Sequence, residues 1–285
     1  MSEFKIQSPT GTEISLSEND YFYLTNIDNQ TFFDTSLYTT NNSSDGDTIN
    51  SIRANPRTLT FTLAVKPYYD VEDVKRYLFK HLKPKKEHTI VWTRNNLALT
   101  ITGTFTTAAM PRWNNSVAIQ LSFYCNDCFW RDKDNIIQEI SDIIPLHYFT
   151  NQEGVEMLYF VDEGIIMGEY DLGRTRSYEN LGDVATGLEI TIHALDTVIN
   201  PIIYLNSMDN YIGINDTLKK DDIVVITTEK GNKNIKKNGI SILQKLKEGS
   251  SFIQLEVGSN TFTVNSDDDT TDNVYFSVSY KQKYV

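Results

Sequence analysis

Strict alternation of apolar and polar side chains is the feature that most constrains the fold of this sequence. From Arg57 to Val65, the apolar residues Leu59, Phe61 and Leu63 alternate with threonines. A period of two places such residues on one face of a half-buried strand. The pattern recurs twice, predicting inward-facing side chains at Leu97, Leu99, Ile101 and Phe105 and at Val117, Ile119, Leu121 and Phe123. The first half is therefore expected to be mostly antiparallel sheet.

One helix is predicted in the first half. Asp70 can cap its amino end, and Pro84 stops it. Apolar residues at helical spacing form one stripe, which consists of Val71, Val74, Leu78 and Leu82. The first domain is thus predicted to be a β-sandwich with this helix packed against it.

The second half contains short alternating segments separated by turns. Strands are predicted over 187–194, 201–205, 222–227, 251–257, 261–264 and 274–280. Strands at this spacing with almost no helix are typical of a β-sandwich or jelly roll. The predicted fold class is therefore all-β, with one or two short helices.

A length of 285 residues suggests two domains. We expect a first domain over 1–130, a linker over 131–144 and a second domain over 145–285. The linker carries a charged run and a short helical pattern around Ile136, Ile137 and Ile140. Residues 28–56 form a polar, turn-rich stretch that is too long for a tight loop, which predicts an extended arm or hairpin.

The charge distribution argues against a nucleic-acid-binding protein. Residues 1–130 hold 12 basic and 13 acidic side chains, and residues 131–285 hold 14 and 25. An acidic second half repels phosphate, and the first half has no basic excess. The sequence shows no signal peptide and no apolar run that would span a membrane. Synthesis and folding in a cytoplasm are expected, and two cysteines fit a reducing compartment.

The pair Cys125 and Cys128 invites a redox or zinc interpretation. A redox dithiol belongs at a helix start in a βαβ layout, which is not predicted here. Zinc needs about four ligands, and the scattered histidines do not supply them. A structural role for both cysteines is favoured.

Other chemistry also lacks a defined site. No nucleophile elbow, phosphate-binding loop or zinc-protease motif occurs. The acidic cluster Asp267, Asp268, Asp269 and Asp272 lacks the order of a calcium loop, which favours a solvated turn. Nothing selects a pair of carboxylates for glycoside hydrolysis. We expect no enzyme, no cofactor and no metal.

The order of features in the first half resembles the distal tail protein family of siphophages and related tail-like particles. The family pattern has an arm, a strand start with Arg53 and Arg57, a helix ending before Pro84, and a hairpin with Gly103. It closes on a strand ending in C-x-D-P-Y/F, which corresponds here to 125–129. Cys128 stands at the usual proline, so the resemblance makes the CxxC spacing an accident of substitution.

The second half resembles the same family. The matching pieces, in order, are Asn180-Leu-Gly-Asp183 with Gly187, Asn200-Pro201, Leu218 to Ile223, Asn238-Gly239 and Gly258-Ser-Asn260. Each residue is also compatible with ordinary turn geometry.

The resemblance implies a virion protein of the tail tip. It implies a homo-hexameric hub ring formed by the first domains, with a galectin-like second domain, joining the tail tube to the baseplate and host-recognition apparatus. Implied partners are the major tail tube protein, a tail-associated hub or lysin protein, and receptor-binding or side-fibre proteins. DNA would pass through the ring only as cargo.

Two sets of site residues follow. The expected oligomer interface lies on the arm and its flank, at Asn41, Asn42, Asp45, Asp47, Arg53 and Arg57. The alternative function is a carbohydrate-binding module of a receptor-binding tail protein, in which Tyr204, Tyr211 or Tyr275 would stack on sugar. We expect these tyrosines to be ordinary sandwich residues, because no second aromatic is predicted at matching register beside Tyr204.

Overall fold

The computed structural model describes residues 3–17, 19–28, 34–41, 45–95, 97–110, 112–113, 116–139, 142–145, 168–171, 175–267 and 273–285. The chain divides into two compact units. Unit 1 comprises Met1–Asp134 and Lys283–Val285, and unit 2 comprises Asn135–Gln282.

Unit 1 is a sheet with one helix packed on it. Its elements in chain order are β1 (Glu3–Gln7), β2 (Glu13–Ser15), β3 (Phe22–Asp28), β4 (Thr35–Asn41), β5 (Asp47–Ala54), β6 (Arg57–Val65), α1 (Val71–His81), β7 (Glu87–Arg94), β8 (Leu97–Ala109), β9 (Arg112–Trp113), β10 (Ser116–Cys125) and β11 (Trp130–Asp132). The main strand order is β2-β1-β7-β8-β10-β6-β3, with β9 paired to β10 and β11 paired to β8.

The predicted alternation builds the core of unit 1. Leu59, Phe61 and Leu63 of β6 are buried, as are their neighbours on β10. Outward-facing hydroxyls pair across the strands, as between Thr60 and Ser122 at 3.0 Å. Leu97 was expected to face inward but is 44% exposed, because it lies opposite Arg94 at the hairpin end of β7 and β8, beyond the core.

The helix α1 follows the sequence prediction closely. The side chain of Asp70 accepts a hydrogen bond from the Glu72 N–H at 2.9 Å, which caps the amino end. Val74, Leu78 and Leu82 are buried in the same core as the strands. The helix ends at His81, and the backbone N–H of Leu82 donates to the carbonyl of Leu78.

Unit 2 consists of short strands. They are β12 (Ile136–Glu139), β13 (Asp142–Pro145), β14 (Gly168–Asp171), β15 (Thr175–Asn180), β16 (Leu188–Ala194), β17 (Val198–Ile199), β18 (Ile202–Leu205), β19 (Ser207–Gly213), β20 (Thr217–Leu218), β21 (Ile223–Thr227), β22 (Asn234–Lys237), β23 (Ile240–Ser241), β24 (Gly258–Asn265) and β25 (Val274–Tyr280). A short 3-10 helix spans Leu243–Lys245.

Two sheets face a common core in unit 2, as expected for a sandwich. One has the order β12-β25-β16-β21-β22-β23, and the other has the order β15-β24-β18-β19. The core takes Ile190 and Val278 from the first sheet and Ile203 and Phe262 from the second. The alternating burial of β25 matches the predicted inward face.

Two segments of unit 2 differ from the sequence predictions. Residues 136–139 form β12, which pairs with β25, instead of a helical stretch, because the register gives their backbone groups partners. Residues 251–257 show alternating burial but form no strand. Only Leu255 makes a bridge there, exchanging two backbone hydrogen bonds with Thr186 at 2.8 and 3.0 Å.

The last strand, β26 (Lys283–Tyr284), belongs to unit 1, where it pairs with β11. The expected second domain over 145–285 therefore differs from unit 2 at both ends. Within the described residues, no helix has the length and apolar character needed to cross a membrane.

Candidate functional site

The arm, defined as strands β4 and β5, is a two-stranded antiparallel hairpin. Its register runs from Thr35 opposite Ala54 to Asn41 opposite Asp47, with a bulge after Tyr38. Within the described part of unit 1, these strands form a sheet of their own. An isolated two-stranded hairpin is marginally stable in water, so this arm needs an additional surface to pack against.

One face of the arm carries an apolar stripe, defined as Leu37, Ile49 and Ile52. Leu37 lies directly opposite Ile52, and Ile49 lies opposite Thr39, which places all three side chains on the same face. Their exposed fractions are 57%, 55% and 63%. Adjacent exposed side chains of this kind are typical of a surface that is covered in an assembly.

The base of the arm is held by a small hydrogen-bond network. The Asn55 amide donates to the carboxylate of Asp34 at 2.9 Å, and the Ser36 hydroxyl donates to Asn55 Oδ1 at 2.9 Å. The backbone N–H of Asn55 also donates to the Asp34 carbonyl at 2.8 Å. These hydrogen bonds hold together the two chain segments at the base of the hairpin.

The predicted interface residues divide into exposed and buried sets. Asn41, Asp45, Asp47 and Arg53 are exposed on the arm, with Arg53 opposite Ser36. Asn42 lies outside the described residues. Arg57 is 6% exposed at the start of β6, opposite Cys125, and so it does not share a surface with the others.

The two cysteines lie in the core of unit 1 and are free. Burial raises the pKa of the Cys125 thiol to about 12, so the thiol stays protonated at neutral pH. Gly103 allows this packing, because an added Cβ would lie 2.8 Å from Cys125 Sγ. These facts favour the structural role predicted for the pair over redox chemistry.

Asp127, in the same turn, has a structural function. Its carboxylate accepts two hydrogen bonds from Arg131, at 2.6 and 2.8 Å, and one from the Phe129 N–H at 3.2 Å. Burial lowers the pKa of Arg57, and the nearby Cys128, Cys125 and Asp127 act in the opposite direction by raising it. The C-x-D pattern thus fixes the turn that leads into β11.

The family-pattern residues of unit 2 occupy turns. Asn200, Asp221 and Asn238 have φ angles of +51°, +68° and +50°, in the left-handed region. Asn and Asp tolerate this conformation better than most residues. Asn238 Oδ1 also accepts a hydrogen bond from the Ile223 N–H at 2.9 Å.

An ion-pair network joins these turns. Lys237 Nζ lies 2.9 Å from Asp222 and 3.3 Å from Asp216, and Lys245 Nζ lies 2.7 Å from Asp216. The hydrogen bond from Lys237, followed by that from the Lys219 N–H, lowers the pKa of Asp222 to about 2. Each of these carboxylates is paired with a lysine, so the clustering of acidic side chains is accounted for without a bound metal.

Two buried asparagines fix the other turns. Asn180 donates to the carbonyls of Val184 and Leu255, at 3.2 and 3.1 Å, and accepts from the Gly182 N–H at 3.0 Å. Asn260 is fully buried and makes four hydrogen bonds.

The acidic cluster and the histidines do not form a metal centre among the described residues. Asp267 accepts from the Asn200 amide at 2.8 Å and pairs with Lys247 at 3.1 Å, and these contacts lower its pKa. Asp268, Asp269 and Asp272 lie outside the described residues. His88 is buried, and its ring nitrogens hydrogen-bond to the Lys83 N–H at 3.1 Å and the Lys86 carbonyl at 2.9 Å.

The three tyrosines considered for sugar stacking separate into two places. Tyr204 and Tyr211 lie directly opposite each other on β18 and β19, with ring centroids 5.8 Å apart. Tyr275 lies on β25, in the other sheet. The expectation that Tyr204 lacks an aromatic partner is wrong. The sequence did not predict β19, so the pairing that places Tyr211 opposite Tyr204 could not be inferred.

Two surfaces were missed by the sequence reasoning. One is the apolar stripe of the arm, in which Ile49 and Ile52 are three positions apart, so that no period-two pattern marks them in the sequence. The other is a tyrosine cluster in unit 1, where the Tyr21 ring lies 4.8 Å from that of Tyr69 and 4.7 Å from that of Tyr77. The paired tyrosines before α1 were its signal.

Family models match both halves of this chain. Residues 10–125 match the phage tail protein RIFT-related domain, and residues 181–284 match the C-terminal domain of the siphovirus-type tail component. The chain belongs to the siphophage distal tail protein family. It is therefore a component of a phage tail hub or baseplate, and its family is structural.

Solved structures share the fold of this distal tail protein. One is the SPP1 Dit protein (gp 19.1), described as a paradigm of the hub adsorption apparatus in phages that infect Gram-positive bacteria, with 14% identity, a TM-score of 0.68 and 99% coverage of each chain. A second is a phage P2 baseplate in its activated conformation with calcium, with 10% identity, a TM-score of 0.53 and full coverage of both chains. Among curated proteins, none matches this sequence.

Proposed function

We propose that six copies of this chain form the hub ring that joins the tail tube to the baseplate and host-recognition apparatus. The observation that carries the proposal is the arm, whose three aliphatic stripe residues lie side by side on one face and are each more than half exposed. In a head-to-tail ring, each copy covers the arm of its neighbour. Membership of the distal tail protein family supports the same role.

The energy available from the arm is consistent with a ring contact. Full burial of a Leu or Ile side chain contributes roughly 1.5 to 3 kcal/mol. Because about half of each stripe residue is still exposed, covering it contributes about 1 kcal/mol per side chain. One such contact is weak by itself. In a closed ring the same contact occurs at every interface between neighbouring copies, so its contribution is repeated around the ring.

The proposed ring lets DNA pass through its lumen. Residues 1–130 carry 12 basic and 13 acidic side chains, so a channel formed by this part would neither hold nor strongly repel a polyanion. Proposed partners are the major tail tube protein, a tail-associated hub or lysin protein, and receptor-binding or side-fibre proteins. Synthesis in the host cytoplasm and assembly into the virion complete the proposal, which requires no catalytic centre.

Sedimentation velocity and negative-stain imaging of the full chain test the ring. The double variant Leu37→Asp/Ile52→Asp should lose the hexamer, because it places two charges in the contact. Ser51→Asp is the matched control, since Ser51 lies opposite Tyr38 on the other face of the arm. Deletion of 41–47 should also weaken assembly while leaving the melting of both units intact.

Two outcomes would contradict this proposal. The wild-type chain could sediment as a monomer at every concentration at which the tail assembles. Alternatively, the double variant could form the same six-fold ring as the Ser51→Asp control, which would show that the arm does not make the contact.

A further inference from the structure

The outer face of the four-stranded sheet in unit 2 carries a row of hydroxyl-bearing side chains. Thr175 lies opposite Thr263, Thr263 lies opposite Tyr204, and Tyr204 lies opposite Tyr211. The row therefore crosses β15, β24, β18 and β19 in register. The inward-facing neighbours Phe262 and Leu205 are fully buried, so the row faces away from the core.

The two tyrosine rings are held in a defined arrangement. Their planes are inclined by 53° at a centroid separation of 5.8 Å, which is within the range favoured by aromatic pairs. The Tyr211 hydroxyl donates to the Glu248 carbonyl at 2.8 Å, which fixes the ring from its far end. Both side chains are only half-buried. A fixed, partly exposed ring pair can bind a ligand at low entropic cost.

A groove of about 430 Å³ runs beside Tyr204. Its polar lining comes from Asn206, Ser207, Thr261, Thr263 and Asn265, and Met208 adds an apolar side chain that is 82% exposed. Among the described residues lining the groove, none is charged.

The neutrality of this groove indicates what it binds. Residues 131–285 carry 25 acidic and 14 basic side chains, which disfavours anionic ligands. Hydroxyl and amide groups beside an aromatic ring match a pyranose sugar, which has an apolar C–H face and a rim of hydroxyls. The two middle strands of this sheet, β24 and β18, have partners on both sides, so neither of them offers an open edge to a peptide strand.

We propose that this tyrosine groove, defined as Tyr204, Asn206, Thr261, Thr263 and Asn265, with Tyr211 packed against Tyr204, binds a neutral oligosaccharide of hexoses or N-acetylhexosamines. A sugar ring stacks on the ring of Tyr204. The ring of Tyr211 packs against the ring of Tyr204 and holds it in place. The threonine hydroxyls and the amides exchange hydrogen bonds with the sugar hydroxyls. The groove gives the tail hub a glycan contact that is independent of the arm.

The test uses the full chain on an array of immobilised neutral hexose and N-acetylhexosamine oligosaccharides, with uronic-acid oligosaccharides on the same array. We expect saturable binding of at least one neutral glycan. Tyr204→Ala should weaken it about tenfold or more, which corresponds to about 1.4 kcal/mol. Thr263→Lys should block the groove, and Tyr204→Trp should retain binding because the stacking surface remains.

Tyr275→Ala is the matched control, because Tyr275 is a half-buried tyrosine on the other sheet. It should bind within about twofold of the wild type, and sedimentation should show the same assembly for all variants. The proposal is overturned by absence of binding to every neutral glycan, by preference for the uronic acids, or by equal binding of Tyr204→Ala and wild type. Capture of a protein partner that is lost on Tyr204→Ala, without glycan binding, would also overturn it.

Discussion

Asn260 is a fully buried position in unit 2 where a single substitution should be strongly destabilising. Its Oδ1 accepts from the Glu256 N–H and the Asn206 amide, both at 3.1 Å. Its Nδ2 donates to the carbonyls of Glu256 and Gly258, at 2.7 and 2.9 Å. The side chain is fully buried, so water cannot replace these partners.

Asn260→Ala should lower the free energy of unfolding of unit 2 by about 3 to 5 kcal/mol, because each of four hydrogen bonds contributes about 0.5 to 1.5 kcal/mol and buried partners are left unpaired. The assay is guanidinium unfolding followed by two signals. All three tryptophans, Trp92, Trp113 and Trp130, belong to unit 1 and report its unfolding by fluorescence. Far-UV circular dichroism also follows the strands of unit 2.

Asn260→Asp is the sharper variant, because it keeps the shape and replaces two donors by acceptors. The new carboxylate would face two carbonyls, so its pKa in the folded state should lie above the unfolded value of about 3.9. The folded pKa is raised, so stability is retained below the unfolded pKa and lost as the pH rises through the folded pKa. A loss below about 1 kcal/mol for Asn260→Ala, or an Asp variant that is most stable at neutral pH, would refute this reasoning.

Four further substitutions test other contacts. Gly187→Ala should destabilise by about 2 kcal/mol or more in thermal melts, because the added Cβ would meet the Cα of Glu229 and lie 2.8 Å from its backbone N. Burial lowers the pKa of His88, so the stability advantage of wild type over His88→Gln should be full above about pH 6.5 and shrink as the pH falls, as denaturation at several pH values would show. Cys128→Ser should leave zinc content and assembly unchanged, whereas Cys125→Asp should destabilise unit 1, because it buries a carboxylate in the core. Stoichiometric zinc in the wild type would contradict this.

Local sequence patterns predicted the regular parts of this fold well. The strands with period-two burial and the helix capped by Asp70 are present, because both depend on signals within a few residues. The segment around Ile136 formed a strand because β25, far along the chain, supplies its partners. No local pattern contains that information, and the helical spacing of three isoleucines was misleading.

The candidate sites were harder to predict for the same reason. The arm was predicted as a polar extension, but its apolar stripe depends on the register of β4 against β5 and on the bulge after Tyr38. The partner of Tyr204 depends in the same way on a strand that the sequence did not reveal. A surface formed by side chains from several strands can be predicted only when the strand pairing is known. A single buried strand can be predicted from its own alternating pattern.

The pairing of β11 with β26 has a consequence for how the protein is made. Trp130 lies opposite Tyr284, at the other end of a sequence of 285 residues. During synthesis, the outer edge of β11 therefore has no partner until all of unit 2 has left the ribosome. Contacts between such distant residues form late, because they close a very long loop. A chain that stops before β26 would leave this strand edge open to pairing with other chains, so formation of β26 protects unit 1 from edge-to-edge aggregation.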